Sequence, residues 1–104
     1  MALDRDTALQ AIYSAIDEMN GQAEPDRRLA KTEDTIVFAE DGKLDSLGLV
    51  NLISAVEQHI MDITGDEVVL ASESAMSRKR SPYRSVAALA DFAVEVAASQ
   101  EGVQ

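Results

Sequence analysis

The residue types best suited to chemistry in this chain are Asp45, Ser46 and Leu47, inside the run Gly42-Lys43-Leu44-Asp45-Ser46-Leu47-Gly48-Leu49-Val50-Asn51-Leu52. The run predicts a serine hydroxyl at the first turn of an amphipathic helix, just after an acidic loop. Backbone N–H groups at a helix start lack intrahelical partners and carry partial positive charge. A phosphate attached to that hydroxyl would therefore meet donors already aimed at it. The plainer role for Asp45 or Ser46 is an N-cap, which either residue type fills at many helix starts. No His or Lys beside Ser46 in the sequence is suited to act as its base.

Other chemistry-bearing residues lead to weaker constellations. His59 is the single histidine. Near the end of a predicted helix, it is expected to be a surface or interhelical residue rather than a ligand or base. Asp45, Ser46 and His59 do not make a triad, because the Gly-x-Ser-x-Gly elbow is missing and no strand precedes the serine. Aligning Glu40-Asp41-Gly42 with a calcium loop fails, since the first ligand position falls on Val37 and the last on Gly48. The run Arg78-Lys79-Arg80-Ser81-Pro82-Tyr83-Arg84 holds four of the nine basic residues. It suits phosphate contacts or, in so acidic a chain, a solvated link that meets the protein's own acids.

The elements that must position these residues follow from hydropathy patterning. Leu9, Ile12, Tyr13, Ile16 and Met19 recur at spacings of three and four and predict a helix over 4–20, with Asp4, Asp6 and Thr7 at its start and Asn20-Gly21 as its stop. Residues 22–45 turn polar around one apolar island, Ile36-Val37-Phe38. They read as a long loop pinned to the core by that island, with a short strand as the alternative. A second helix is predicted over 46–61. Leu49, Leu52, Ile53, Val56 and Ile60 form its core stripe, while Leu47, Val50, Ser54 and Glu57 share a neighbouring face. That neighbouring face suits either core packing or a partner. Thr64-Gly65-Asp66 should end the helix. A short helix is predicted over 71–77, and a last one over 85–99 with Ser85 as N-cap and Val86, Leu89, Phe92, Ala93 and Val96 inward. The fold expected is all-α: one domain, 1–104, built as a small four-helix bundle of three long helices and one short, with a long first loop.

Composition sets limits on function. The chain has 104 residues, 46% of them hydrophobic, enough for one packed core and too many for a disordered acidic tail. Nineteen acids against nine bases give a net charge of −10. That charge repels nucleic acid and anionic lipid and favours proteins with basic patches. With no Cys, disulfides, thiolate metal sites and a cysteine nucleophile are excluded. No signal peptide and no membrane span are expected, and the absence of Cys suits a reducing compartment, so the expected location is cytoplasmic.

The Asp45-Ser46-Leu47 segment resembles the modification site of the acyl and peptidyl carrier protein family, whose motif is Asp-Ser-Leu at the start of the second helix of a four-helix bundle. Gly42 upstream, Val50 and Leu52 at apolar positions, and Val56-Glu57 extend the likeness. So does Tyr83-Arg84-Ser85-Val86, which is similar to the opening of the family's last helix. The resemblance spans essentially the whole chain. It departs at Asn51, where many fatty-acid carriers have an acid, and at Ser54, where a large apolar residue often meets a partner. The segment 66–84 is also longer and more basic than usual. These departures point to a dedicated carrier rather than to housekeeping fatty-acid synthesis.

The resemblance implies a function. A phosphopantetheinyl transferase would direct the Ser46 hydroxyl onto the pyrophosphate of coenzyme A, leaving a covalent 4'-phosphopantetheine arm. The arm's thiol would hold an acyl or aminoacyl group as a thioester. The chain would then be a substrate and carrier, not an enzyme, and a monomer. Asp45 and Leu47 would flank the arm. Leu47, Val50, Ser54 and Glu57 would meet loading and transferring enzymes through basic docking patches. The alternative is an unmodified acidic helical interaction module with a carrier-like fold.

Overall fold

Asp4 starts the first helix by accepting the Thr7 N–H on its carboxylate at 2.7 Å. In the computed structural model α1 then runs Arg5–Asn20, so Asp4, the first residue of the predicted span, is its N-cap. The structure describes residues 3–22, 24–37, 46–65, 67–71 and 83–102, leaving aside the side chains of Arg27, Ser46 and residues 100–102. Among the described residues there are three α-helices and no strand: α1, α2 at Ser46–Thr64 and α3 at Val86–Gly102, with a 3₁₀ turn at Pro25–Arg27. The predicted short helix falls largely outside this description. Ala71 is described and is not helical, and 72–77 lie outside the described residues.

Two helix ends differ from expectation. The span 46–61 continues to Thr64, because nothing before Gly65 can stop it. Gly65 takes φ +79°, a left-handed conformation that side chains resist, and its N–H bonds Met61 O at 2.8 Å. The span 85–99 becomes Val86–Gly102, since Gln100 and Glu101 are good helix formers and Gly102 is the first poor one. The stop after Asn20 also has a different cause from a left-handed glycine. Gly21 keeps φ −62°, and it is Asn20 that turns the chain. Its side-chain oxygen accepts Leu29 N–H at 2.9 Å, and its amide donates to Leu29 O at 2.8 Å.

The core lies between α1, α2 and α3. From α1 come Ala8, Ala11, Ile12, Ala15 and Ile16; from α2 come Leu49, Leu52, Ile53, Val56 and Ile60. From α3 come Val86, Leu89, Ala90, Phe92, Ala93 and Ala97, while Val96 is partly buried against them. The α2 stripe is therefore buried as its spacing predicts. On α1 the innermost positions include three alanines, and Leu9, Tyr13 and Met19 flank them, partly buried. Small residues at the contact let two helix axes approach closely. Met19 and Gln22 lie beside Asn51 and Ala55, and Glu18 pairs with His59, so α1 and α2 run antiparallel.

Of the island's described residues, Val37 pins the first loop to the core as expected. Val37 is buried, Ile36 is exposed, and Phe38 lies outside the described residues. In place of a strand there is one isolated antiparallel bridge, Ile36 to Ser85. Val37 N–H donates to Arg84 O at 2.8 Å. The loop in turn completes the start of α3. Thr35 O accepts Val86 N–H and Glu33 O accepts Ala87 N–H, both at 3.0 Å, while Ser85 Oγ accepts Ala88 N–H at 3.1 Å as the predicted N-cap. Three donors that a helix start leaves without intrahelical partners are thereby satisfied. Arg5 closes the same corner through ion pairs with Glu33 and, at 2.8 Å, with Asp91.

Candidate functional site at the start of helix α2

Ser46 is the first residue of α2. Asp45, its predicted neighbour at the site, lies outside the described residues, as do Gly42 and Arg78–Arg80. The two apolar residues that follow Ser46 on the open face remain in solvent. Leu47 is 69% exposed and Val50 45%, whereas Leu49 is buried at 4% and Leu52 at 0%. The helix divides sharply because one apolar stripe suffices to pack α2 on α1, and Leu47 and Val50 fall outside it. Ser54, one and two turns further on, is exposed on the same side. Core packing for Leu47 and Val50, open on spacing alone, is ruled out by this exposure.

Glu57 occupies the position predicted from its spacing but is not simply a rim carboxylate. It is half-buried, and its Oε2 accepts Leu70 N–H at 2.6 Å and Ala71 N–H at 3.3 Å. The carbonyl of Leu70 accepts the Tyr83 hydroxyl at 2.6 Å. Tyr83 is itself buried, with its ring edge-on to Phe92 at 5.9 Å and 86°. The Leu70 peptide is thus gripped at both polar groups.

The open face of α2 extends beyond the residues expected. Met61 is exposed on it, and Ser54, Glu57, Gln58, Met61 and Glu67 line a shallow depression of about 170 Å3. Met61 stands seven residues after Ser54, two helical turns along the same side, so extending the stripe to the true helix end would have found it. Val69, also exposed, had no signal of this kind. A second, wider depression of about 350 Å3 lies between the end of α1 and α2, lined by Glu18, Met19, Gln22, Asn51 and Ala55.

His59 faces α1, where its Nε2 meets Glu18 Oε1 at 2.8 Å, an interhelical residue as expected. Thirteen residues separate it from Ser46, about 20 Å along the helix axis at the usual rise. It is therefore no base for that hydroxyl. Among the described residues no group of three or more His, Cys, Asp or Glu is placed to hold a metal ion. Two groups at the opposite corner titrate away from their ordinary values. The Thr7 backbone N–H lowers the Asp4 carboxyl, and the hydrogen bonds that the Arg5 guanidinium donates to Asp91 and then Glu33 raise its own value. No described helix is long and apolar enough to cross a membrane.

Ser46 stands at the N-terminal end of α2. A 19-residue helix begins at that residue, and the N–H groups of its first turn point toward that end with the positive pole of the helix dipole. Comparison of the chain with family models, with curated proteins and with solved structures finds no match in any of the three.

Proposed function

We propose that this chain is a stand-alone carrier of acyl or aminoacyl groups, modified on Ser46 with 4'-phosphopantetheine and handed between partner enzymes. The observation that carries the reading is the setting of Ser46. It opens a helix whose Leu47 and Val50 stay in solvent while Leu49, Leu52 and Ile53 enter the core. The Ser46 hydroxyl is the nucleophile: its oxygen bonds the pantetheine-side phosphorus of coenzyme A, the pyrophosphate P–O bond breaks to release adenosine 3',5'-bisphosphate, and the hydroxyl proton passes to a base of the transferase. The first turn of α2 supplies unpaired N–H groups toward the resulting phosphodiester, and Leu47 gives an apolar surface beside it. The arm supplies a thiol, which this chain has no cysteine to provide. Asp45, which adjoins Ser46 in sequence, adds negative charge for a basic transferase to recognise.

The transferase and the enzymes that load and unload the cargo meet the open side of α2. From Glu40 to Glu67 the chain has seven acids and one lysine, so basic surfaces are attracted there. Leu47, Val50 and Ser54 form the contact surface and Glu57 borders it. Ser54 makes this surface smaller and more polar than the large apolar residue often found there in acyl carrier proteins, which suits a restricted set of partners.

Intact mass decides the matter. Purified protein incubated with coenzyme A, magnesium and a promiscuous phosphopantetheinyl transferase should gain one phosphopantetheine, and Ser46→Ala should gain none. A chain that stays unmodified with several transferases would support the second reading instead, an acidic module that binds basic proteins without a cofactor. The observation favouring that reading is the apolar surface of α2, which runs on to Met61 well beyond the serine.

A further inference from the structure

We propose that Glu57 couples the open face of α2 to the segment 67–71, so that a cationic side chain of a partner protein, by taking the Glu57 carboxylate, releases that segment from the core. The inference rests on the reading above only in treating this face of α2 as the place where a partner docks. The coupling itself is a property of the chain.

Glu57 is one of the groups that hold the segment, and it does so from the open face of α2. Val68 and Leu70 are buried, yet residues 67–71 belong to no helix or strand and so have no ladder of backbone bonds. Glu57 Oε2 accepts both Leu70 N–H and Ala71 N–H. Tyr83, three residues before the first residue of α3, holds the Leu70 carbonyl. One carboxylate oxygen therefore fixes two successive amides, and it does so from a helix whose next turns are open to solvent.

The same carboxylate lines the depression formed with Ser54, Gln58, Met61 and Glu67. That depression suits an arginine or lysine. The aliphatic stem can lie on exposed Met61, and the head meets carboxylates in a region of strong negative charge. A guanidinium engages a carboxylate through two parallel charge-assisted bonds that use both oxygens, and these are about twice as strong as neutral ones. It competes directly with the two amides for Oε2. Once Oε2 turns to the guanidinium, the Leu70 and Ala71 N–H groups have lost their acceptor and reach a new one most easily in water. Partner binding and movement of 67–71 are then linked in both directions, each favouring the other.

Amide hydrogen exchange tests this on the whole chain, with hexa-arginine as the cationic probe and its binding followed independently by anisotropy of a labelled copy. At saturation the probe should speed exchange at Leu70 and Ala71 by about tenfold or more, the loss expected for bonds to a charged acceptor, while Ile12 and Ile53 stay protected. Glu57→Ala should show the fast exchange without the probe and no further change with it. Glu57→Gln, which keeps an oxygen acceptor but no charge, should exchange slowly and stay slow when the probe is added. Bound hexa-arginine that leaves Leu70 and Ala71 unchanged overturns the proposal, as does a uniform rise across α1, α2 and the segment. Neither readout depends on Ser46. Failure of phosphopantetheine attachment and failure of the coupling are thus separate results.

Discussion

Asn20 and Leu29 exchange two hydrogen bonds, the side-chain oxygen accepting Leu29 N–H at 2.9 Å and the side-chain amide donating to Leu29 O at 2.8 Å. One side chain at the last position of α1 thus replaces the backbone pairing that a strand would have provided, and it directs the chain into the long loop toward α2. Leu29 is buried beside it. Removing the side chain leaves two part-buried backbone groups without protein partners. Asn20→Ala should therefore cost about 1–3 kcal/mol in urea unfolding. Asn20→Asp should recover little, because a carboxylate can accept from Leu29 N–H but cannot donate to Leu29 O. An Asp variant as stable as wild type would show that the donor half of the pair is idle.

Tyr83 separates two contributions that a single truncation would merge. In Tyr83→Phe the ring keeps its edge-on contact with Phe92 while the bond to Leu70 O is lost. About 1–3 kcal/mol should disappear, the cost of leaving a buried acceptor unsatisfied. Tyr83→Ala also empties a core position and should cost about 3–5 kcal/mol. Equal losses for the two variants in chemical denaturation would mean that the ring packs for nothing.

The division of α2 into an open and a buried side can be measured as a stability contrast. Leu47→Ser removes an exposed side chain and should change unfolding free energy by no more than about 0.5 kcal/mol. Leu52→Ala, five residues on and fully buried, should cost about 2–5 kcal/mol. A large loss at Leu47 in thermal or urea unfolding would place that residue in the core and remove the apolar surface from beside Ser46.

Acid stability should carry the mark of Asp4. The Thr7 N–H holds this carboxyl below its ordinary value in the folded chain. A depressed folded pKa means that the group favours the folded state fully above its unfolded pKa, about 3.9. That contribution is lost as pH falls through the lowered folded value. Asp4→Asn, an uncharged residue that also caps helices, should flatten this part of the stability profile below about pH 4. Melting curves from pH 2 to 6 would reveal it, and identical profiles for the two proteins would exclude a titrating cap.

What could be read from residue order was whatever depends on near neighbours. The spacing of Leu49, Leu52, Ile53, Val56 and Ile60 identified a buried stripe, and all five are buried. Ser85 could be recognised as a cap because its acceptor role is played out within three residues. Helix ends were less legible. Thr64 extends α2 by bonding its hydroxyl back to Ile60 O at 2.8 Å, so the termination signal is the glycine that follows. The alanines of α1 are not legible as core residues because alanine carries little hydropathy signal, although its small side chain is what a close helix contact requires.

The sequence by itself determined that this chain folds into helices, that Ser46 opens one of them, and that the protein is strongly acidic, since periodicity, composition and capping are local properties. Tertiary structure alone decided which flanking apolar residues remain in water. Spacing puts Leu49 in the core stripe but leaves Leu47 on a neighbouring face that suits either packing or solvent, and only the placement of the other helices leaves Leu47 in water. The same holds for Glu57. Its partners Leu70 and Ala71 lie 13 and 14 residues later, beyond any helical period, and their N–H groups reach it because Val68 and Leu70 must bury themselves nearby.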